Sequence, residues 1–179
     1  MKTILFVARL ALTLLAITAV VAVALAGVNM ITAPAIAELN AQNTQAAIEA
    51  VLPGGGTEMA DFPAVDLVSK VYASDAGYAV QVTPGGFDNT ITMMVGVDNE
   101  GNVSGISIIS HTETAGLGAV AAATTSAGEA FRAQFVGLNG TVSVTKDGGQ
   151  VEAITSATIT SRAVCDGVNA ALAAVAAIG

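Results

Sequence analysis

The sequence predicts an α+β protein in two parts: a single N-terminal transmembrane helix, then an exported domain of antiparallel strands with flanking helices. Three observations predict this. A long uncharged apolar run opens the chain, short β-branched runs separated by turn residues fill its middle, and an apolar stripe of helical period closes it. That order fits α+β rather than a regular βαβ repeat.

The anchor comes first. From Leu10 to Val28 no residue is charged, and apolar character begins at Ile4, interrupted only by Arg9. This matches the roughly 20 residues that a spanning helix needs. Lys2 and Arg9 are the only charges before Glu38, so the positive-inside rule predicts a cytoplasmic N-terminus and a C-terminal domain outside the cytoplasmic membrane. Ala24-Leu25-Ala26 before Gly27 has the small-x-small form of a cleavage site, which makes a cleaved signal peptide the competing reading. The apolar stretch is longer than a signal core of about 7–15 residues and continues through Val28, Met30 and Ile31, so a retained anchor is expected. Ala33-Pro34 is expected to end or kink it, dividing the chain into an anchor, 1–34, and an exported domain, 35–179.

In the exported part, Ile36, Leu39, Ile48 and Val51 share one helical face, which predicts a helix over 35–51 stopped by Pro53-Gly54-Gly55-Gly56. Strands are expected at 65–72, 78–83, 90–97 and 103–110. Asp75-Ala76-Gly77, Pro84-Gly85-Gly86 and Asp98-Asn99-Glu100-Gly101 separate them, the last being the clearest hairpin signal. A short helix at 126–136, a strand at 141–145 ending at Lys146-Asp147-Gly148-Gly149, and a closing helix at 163–178 complete the reading. Val164, Val168, Leu172 and Val175 form that helix's core-facing stripe, with Cys165 as a small buried neighbour.

Composition excludes several functions. The chain of 179 residues carries 6 Lys+Arg against 14 Asp+Glu, a net charge of −8 that repels phosphate backbones and argues against a nucleic-acid partner. One Cys precludes an intramolecular disulfide, and one His argues against a multi-histidine metal site. No nucleophile and base pattern suggests a catalytic residue.

Two segments are not explained by folding alone. In 152–162, Thr155, Ser156, Thr158, Thr160 and Ser161 cluster before a helix. Thr160 or Ser161 reads as an N-cap for a helix beginning near Arg162. Small hydroxyl residues at a helix N-terminus equally suit an anion site, because free N–H donors and the positive dipole end hold phosphate. The second segment, His111 to Gly118, reads from its residues as a Gly-bearing surface loop.

Both segments resemble those of a known family. Thr155-Ser156-Ala157-Thr158 resembles the flavinylation signature of the exported FMN-binding domains: an acidic residue, two arbitrary residues, Ser/Thr, Gly, Ala, Thr. The resemblance implies that FMN is joined through its phosphate to the Thr158 hydroxyl by a dedicated flavin transferase, with Glu152 in the acidic place. Glu152 stands where Asp is usual, and Ser156 where Gly is usual. His111-Thr112-Glu113-Thr114-Ala115-Gly116-Leu117-Gly118 is similar to the family's His-x-Glu-Thr-Pro-Gly-Leu-Gly loop, and Ala115 in place of Pro leaves it less preorganised. This likeness implies that Glu113 and Thr114 contact the flavin and that Leu117 and Gly118 pack on its ring, with His111 a loop anchor or a ligand.

Further stretches, Asn29 to Pro34, Val51-Leu52-Pro53-Gly54, Thr83 to Phe87 and Phe131 with Gln134 to Gly137, resemble the G subunits of Rnf complexes. Those complexes are membrane-bound ferredoxin:NAD oxidoreductases coupled to sodium or proton transport. The resemblance implies an electron-carrying subunit, not catalytic alone, whose partners are the complex's other membrane and iron–sulfur subunits. The C subunit of the sodium-pumping NADH:quinone reductase and a free-standing extracellular flavin carrier are neighbouring readings. A nonenzymatic anchored binding module is the reading from another class.

Overall fold

The structure, a computed structural model, describes residues 2–179, with side chains from residue 6 onward. The side chains of Lys2 and Ile4 lie outside the described ones. Two compact units divide between Gln42 and Asn43. Helix α1, Lys2–Val51, makes up the described part of the first as far as Gln42, its apolar stretch reaching a mean hydropathy of 2.5, and its last residues, from Asn43, belong to the second. Phe6, Leu10, Leu14, Ile17, Val21 and Leu25 are all exposed on it, as lipid-facing side chains are. The chain is a single-pass membrane protein through this helix. Pro34, expected to end or kink it, lies inside it; losing one ladder hydrogen bond does not stop a helix flanked by Ala33, Ala35, Ala37 and Leu39.

The second unit is built on a five-stranded antiparallel meander in chain order. Its strands are β1 (Thr57–Glu58), β2 (Val68–Ser74), β3 (Gly77–Val82), β4 (Thr92–Asp98) and β5 (Val103–Ser110). The β4–β5 turn forms where expected: Asp98 Oδ1 accepts from the N–H of Glu100 at 3.0 Å and of Asn102 at 2.7 Å, and Gly101 takes φ +82. Those N–H groups hold the Asp98 carboxyl below its ordinary pKa, that of Asn102 contributing most.

Helices cover both faces of the sheet. On one, Val80, Val82, Met93, Val95 and Val97 pack with Val164, Val168 and Ala171 of α3 (Thr158–Ile178) and with Phe131 and Phe135, of which Phe131 lies on α2 (Ser126–Ala133). On the other, Ala47, Ile48, Val51 and Leu52 cover Tyr72, Ala79 and Met94. Strand β4 is therefore buried on both sides, which explains why its sequence runs apolar without alternation. Each such fully buried Val or Met contributes about 1.5–3 kcal/mol. A Cβ at Gly96 would overlap Val51 O, so glycine is what lets the helix end approach; Ser104 Oγ donates to the same carbonyl at 2.6 Å.

Two further expectations are corrected. Residues 141–145 do not form a strand. The Asn169 amide accepts from Val142 N and donates to Val142 O, both at 2.8 Å, while Val144 makes an isolated parallel bridge to Val151, so the backbone of this run is satisfied without a sheet partner. A 3-10 turn, Thr145–Asp147, follows. The closing helix begins at Thr158, five residues before the expected Ala163. α3 is long and apolar enough to span a membrane but half buried against the sheet, the signature of a core helix. Cys165 is buried on it as a free thiol, and burial, the largest cause, pushes its pKa up to about 12.

Candidate functional site

The site lies where α3 begins. Its N-cap is Ala157, which has no side chain able to cap, so the N–H groups of Thr158, Ile159 and Thr160 have no acceptor among the described residues. Neither Thr160 nor Ser161 is the cap that the sequence suggested. Both are buried inside the first turn and committed elsewhere: Ser161 Oγ donates to Ala157 O and accepts from Ile154 N, each at 3.0 Å, and Thr160 Oγ1 donates to Glu113 Oε2 at 2.5 Å. Thr158 is the first residue of the helix, with its hydroxyl accepting from Lys146 Nζ at 3.3 Å.

Before the helix, Ser156 sits at φ +62. This left-handed conformation is easy for glycine and costs an L-residue roughly 1–2 kcal/mol. The Gly usual at this place in the flavinylation signature thus has a backbone reason, and Ser156 accepts strain to keep the same turn.

The second wall is the loop after β5. Its buried Glu113 reaches inward: Oε1 accepts from Phe87 N at 2.8 Å, and Oε2 takes the Thr160 hydroxyl. A side chain at Gly86 or at Gly118 would overlap this carboxylate. One residue therefore ties three pieces together, the 84–91 turn, its own loop and the start of α3. His111 Nδ1 accepts from Glu113 N at 3.2 Å, a bond within the loop itself.

Between these walls lies a cavity of about 270 Å³. Its lining brings together seven of the candidates named from the sequence, Thr158, Ala157 and Ser156 with Glu113, Thr114, Leu117 and Gly118. Thr155 is left out and faces a neighbouring groove with Glu152 and Ala153. Sequence reasoning missed Phe87, Ile159 and Thr160 as lining residues. Phe87 carried a signal, being an aromatic after two glycines, and beyond the anchor it is the exposed aromatic among the described residues. Phe87, Leu117 and Ile159 leave an apolar rim open to solvent, 65%, 40% and 50% exposed, at a helix start with unpaired N–H groups. Such an arrangement suits a flat apolar ring carrying an anionic tail. A larger groove, about 790 Å³, runs beside the end of α3 past Asp98 and Glu100, whose charge suits no phosphate.

The fold and this site define the class: residues 86–173 match the FMN-binding domain family. Similarity reaches further along the chain. The G subunit of a Na+-translocating ferredoxin:NAD+ oxidoreductase complex from Acetobacterium woodii is 35% identical, covering 90% of this chain and 87% of that protein. The G subunit of an ion-translocating oxidoreductase complex from Methanosarcina acetivorans is 32% identical over 93% of both. The G subunit of a proton-translocating ferredoxin:NAD+ oxidoreductase complex from Clostridium ljungdahlii is 37% identical over 56% of this chain and 57% of its own. The chain belongs to the family of G subunits of the Rnf-type, ion-translocating oxidoreductase complexes. It is an FMN-binding electron-transport subunit of such a complex, which decides against the nonenzymatic binding module.

Proposed function

We propose that this subunit relays electrons within a ferredoxin:NAD oxidoreductase complex through one FMN esterified by its phosphate to Thr158, supporting coupled sodium or proton transport. The observation that carries it is the Thr158 hydroxyl, placed at an uncapped helix N-terminus on the wall of an apolar-rimmed cavity. When bound, FMN supplies one- and two-electron transfer. The chain's own residues bind and orient. The N–H groups of Thr158, Ile159 and Thr160 present the positive end of α3 to the phosphate. Leu117 and Phe87 offer apolar faces to the ring, and Thr114 a polar edge. Glu113, its carboxylate engaged by Phe87 N and Thr160, acts by holding both walls in register.

The anchor, with Arg9 and Lys2 ahead of its apolar run, sets the N-terminus on the cytoplasmic side of the cell membrane and the domain outside. There a covalent bond prevents loss of flavin that no cytoplasmic pool could replace. Attachment requires a flavin transferase, and electrons pass to and from the membrane and iron–sulfur subunits of the complex. Relatives named for sodium and for protons are both similar to this chain.

The test is production of the full chain with a flavin transferase, followed by denaturing-gel fluorescence and intact mass. Wild type should carry one FMN, and Thr158→Ala none, with unchanged circular dichroism, since one partly exposed hydroxyl contributes about 1 kcal/mol at most. Flavin retained in Thr158→Ala and mapped to a peptide modified at Thr155 or Thr160 would overturn the assignment.

A further inference from the structure

In a domain this acidic, cations near the cavity stand out. After residue 37 the chain has four, Lys70, Arg132, Lys146 and Arg162, against 14 carboxylates. Three are committed. Lys70 pairs with Glu58 at 2.8 Å, Arg132 donates to the carbonyls of Ala121 and Ala123 at 2.7 and 3.0 Å, and Arg162 binds Asp147 through two hydrogen bonds of 2.6 and 2.7 Å. Lys146 differs in that its hydrogen-bond partner among the described residues is a neutral side chain, the Thr158 hydroxyl.

We infer that Lys146 is the counter-cation for the phosphate end of the flavin site, a positioning residue set beside Thr158 by the ion pair that Asp147 makes with Arg162. Thr158 and Arg162 stand one helical turn apart on α3 and so share a face. The consecutive residues Lys146 and Asp147 meet them as a two-point clamp. Asp147 would cancel the charge of its neighbour if left alone. Its bidentate pairing with Arg162, which holds the Asp147 carboxyl below its ordinary pKa, offsets its charge, so that Lys146 meets Thr158 without being cancelled by its own turn, while the Glu113 carboxylate on the far side is engaged by Thr160 and Phe87 N. The turn that carries them is stiff: Gly148 takes φ +85, a Cβ at Gly149 would overlap Ser143 O, and Thr145 N donates to Val151 O at 2.8 Å. A phosphodiester on Thr158 bears one negative charge, which this cation and the open N–H groups of α3 together would compensate.

The inference rests on Thr158 as the attachment point, and wild type beside Thr158→Ala tests that reading separately. Lys146→Met and Lys146→Arg full-length proteins, produced with the flavin transferase, test the inference itself. Two readouts serve: the ³¹P resonance of the bound phosphodiester, and the melting difference between each loaded protein and its flavin-free form at low and high salt. In wild type and Lys146→Arg, loading should raise the melting temperature more at low salt, by about 1–3 °C. Lys146→Met should lose that salt-dependent part and show a displaced ³¹P resonance. If Lys146→Met folds but takes up no flavin while Lys146→Arg does, the charge is needed for loading as well, which supports the inference. A ³¹P resonance and salt response in Lys146→Met equal to wild type would overturn it, as would loss of loading in both folded variants.

Discussion

Helices α2 and α3 begin in opposite ways. At α2, Thr125 is extended, with φ −89 and ψ 159, and its side chain accepts from Gly128 N at 3.4 Å, so the helix start is closed by the chain itself. At α3 the cap position is Ala157, and the nearby hydroxyls do other work. Thr160 locks onto Glu113, Ser161 folds back onto Ala157 O, and Thr158 meets Lys146. A sequence rich in hydroxyls therefore supplies a cap in one place and withholds it in another. The withheld cap leaves the first N–H groups of α3 without an acceptor among the described residues, the donors we propose for the flavin phosphate.

This contrast depends on Glu113, because its carboxylate keeps Thr160 occupied and holds the opposite wall. Glu113→Ala strands the Thr160 hydroxyl and the Phe87 N–H, and the loss should be the largest of any single change here. About 3 kcal/mol is expected, read as a drop of roughly 6–12 °C in the melting of the detergent-solubilised chain. Glu113→Gln, which keeps the size and one acceptor, should fall between. Wild-type melting in Glu113→Ala would mean that the walls are held by packing alone.

A more direct way to sharpen the comparison is to exchange the two starts. Thr125→Ala should cost about 1 kcal/mol through the lost cap and leave flavin loading untouched, since α2 makes no part of the cavity lining. Ala157→Ser should do the reverse, stabilising the flavin-free protein by about 0.5–1 kcal/mol while lowering the fraction flavinylated, because the new hydroxyl competes for the donors a phosphate needs. Chemical denaturation and in-gel fluorescence of both variants check this. Equal loading in Ala157→Ser and wild type would show that the open donors are incidental.

Much of this was legible in the sequence, for reasons that differ by segment. Strands β2 to β5 and their turns were readable because Gly77 and Gly101 punctuate β-branched runs. The anchor was readable because uncharged length is a local property, and the cavity's two loops because their residues resemble a family's. What was not legible depends on partners distant in sequence. The run 141–145 has strand propensity, yet Asn169, over 20 residues on, answers its backbone. The early start of α3 was hidden because Thr160 and Ser161 look like caps until Glu113 and Ile154 claim their hydroxyls. Lys146 reaches the site only through the fold, as did the division of labour that leaves Thr155 outside it, whereas Phe87 had the two glycines before it as a signal.

Ser156 offers the smallest and finest test, because it separates the turn's strain from its chemistry. The residue holds φ +62, where an L-side chain costs roughly 1–2 kcal/mol. Glycine removes that cost but enlarges the unfolded ensemble, by about 0.4–1 kcal/mol. The two effects oppose, so Ser156→Gly should gain only about 0.5 kcal/mol, near 1–2 °C in melting. Its exposed side chain lines the cavity without a hydrogen bond to either wall among the described residues, so flavin loading should be equal to wild type or faster. Time courses of flavinylation at limiting transferase read this better than endpoints. A Ser156→Gly protein that melts lower, or loads more slowly, would show that the serine hydroxyl contributes to the site and that the left-handed turn alone does not account for this position.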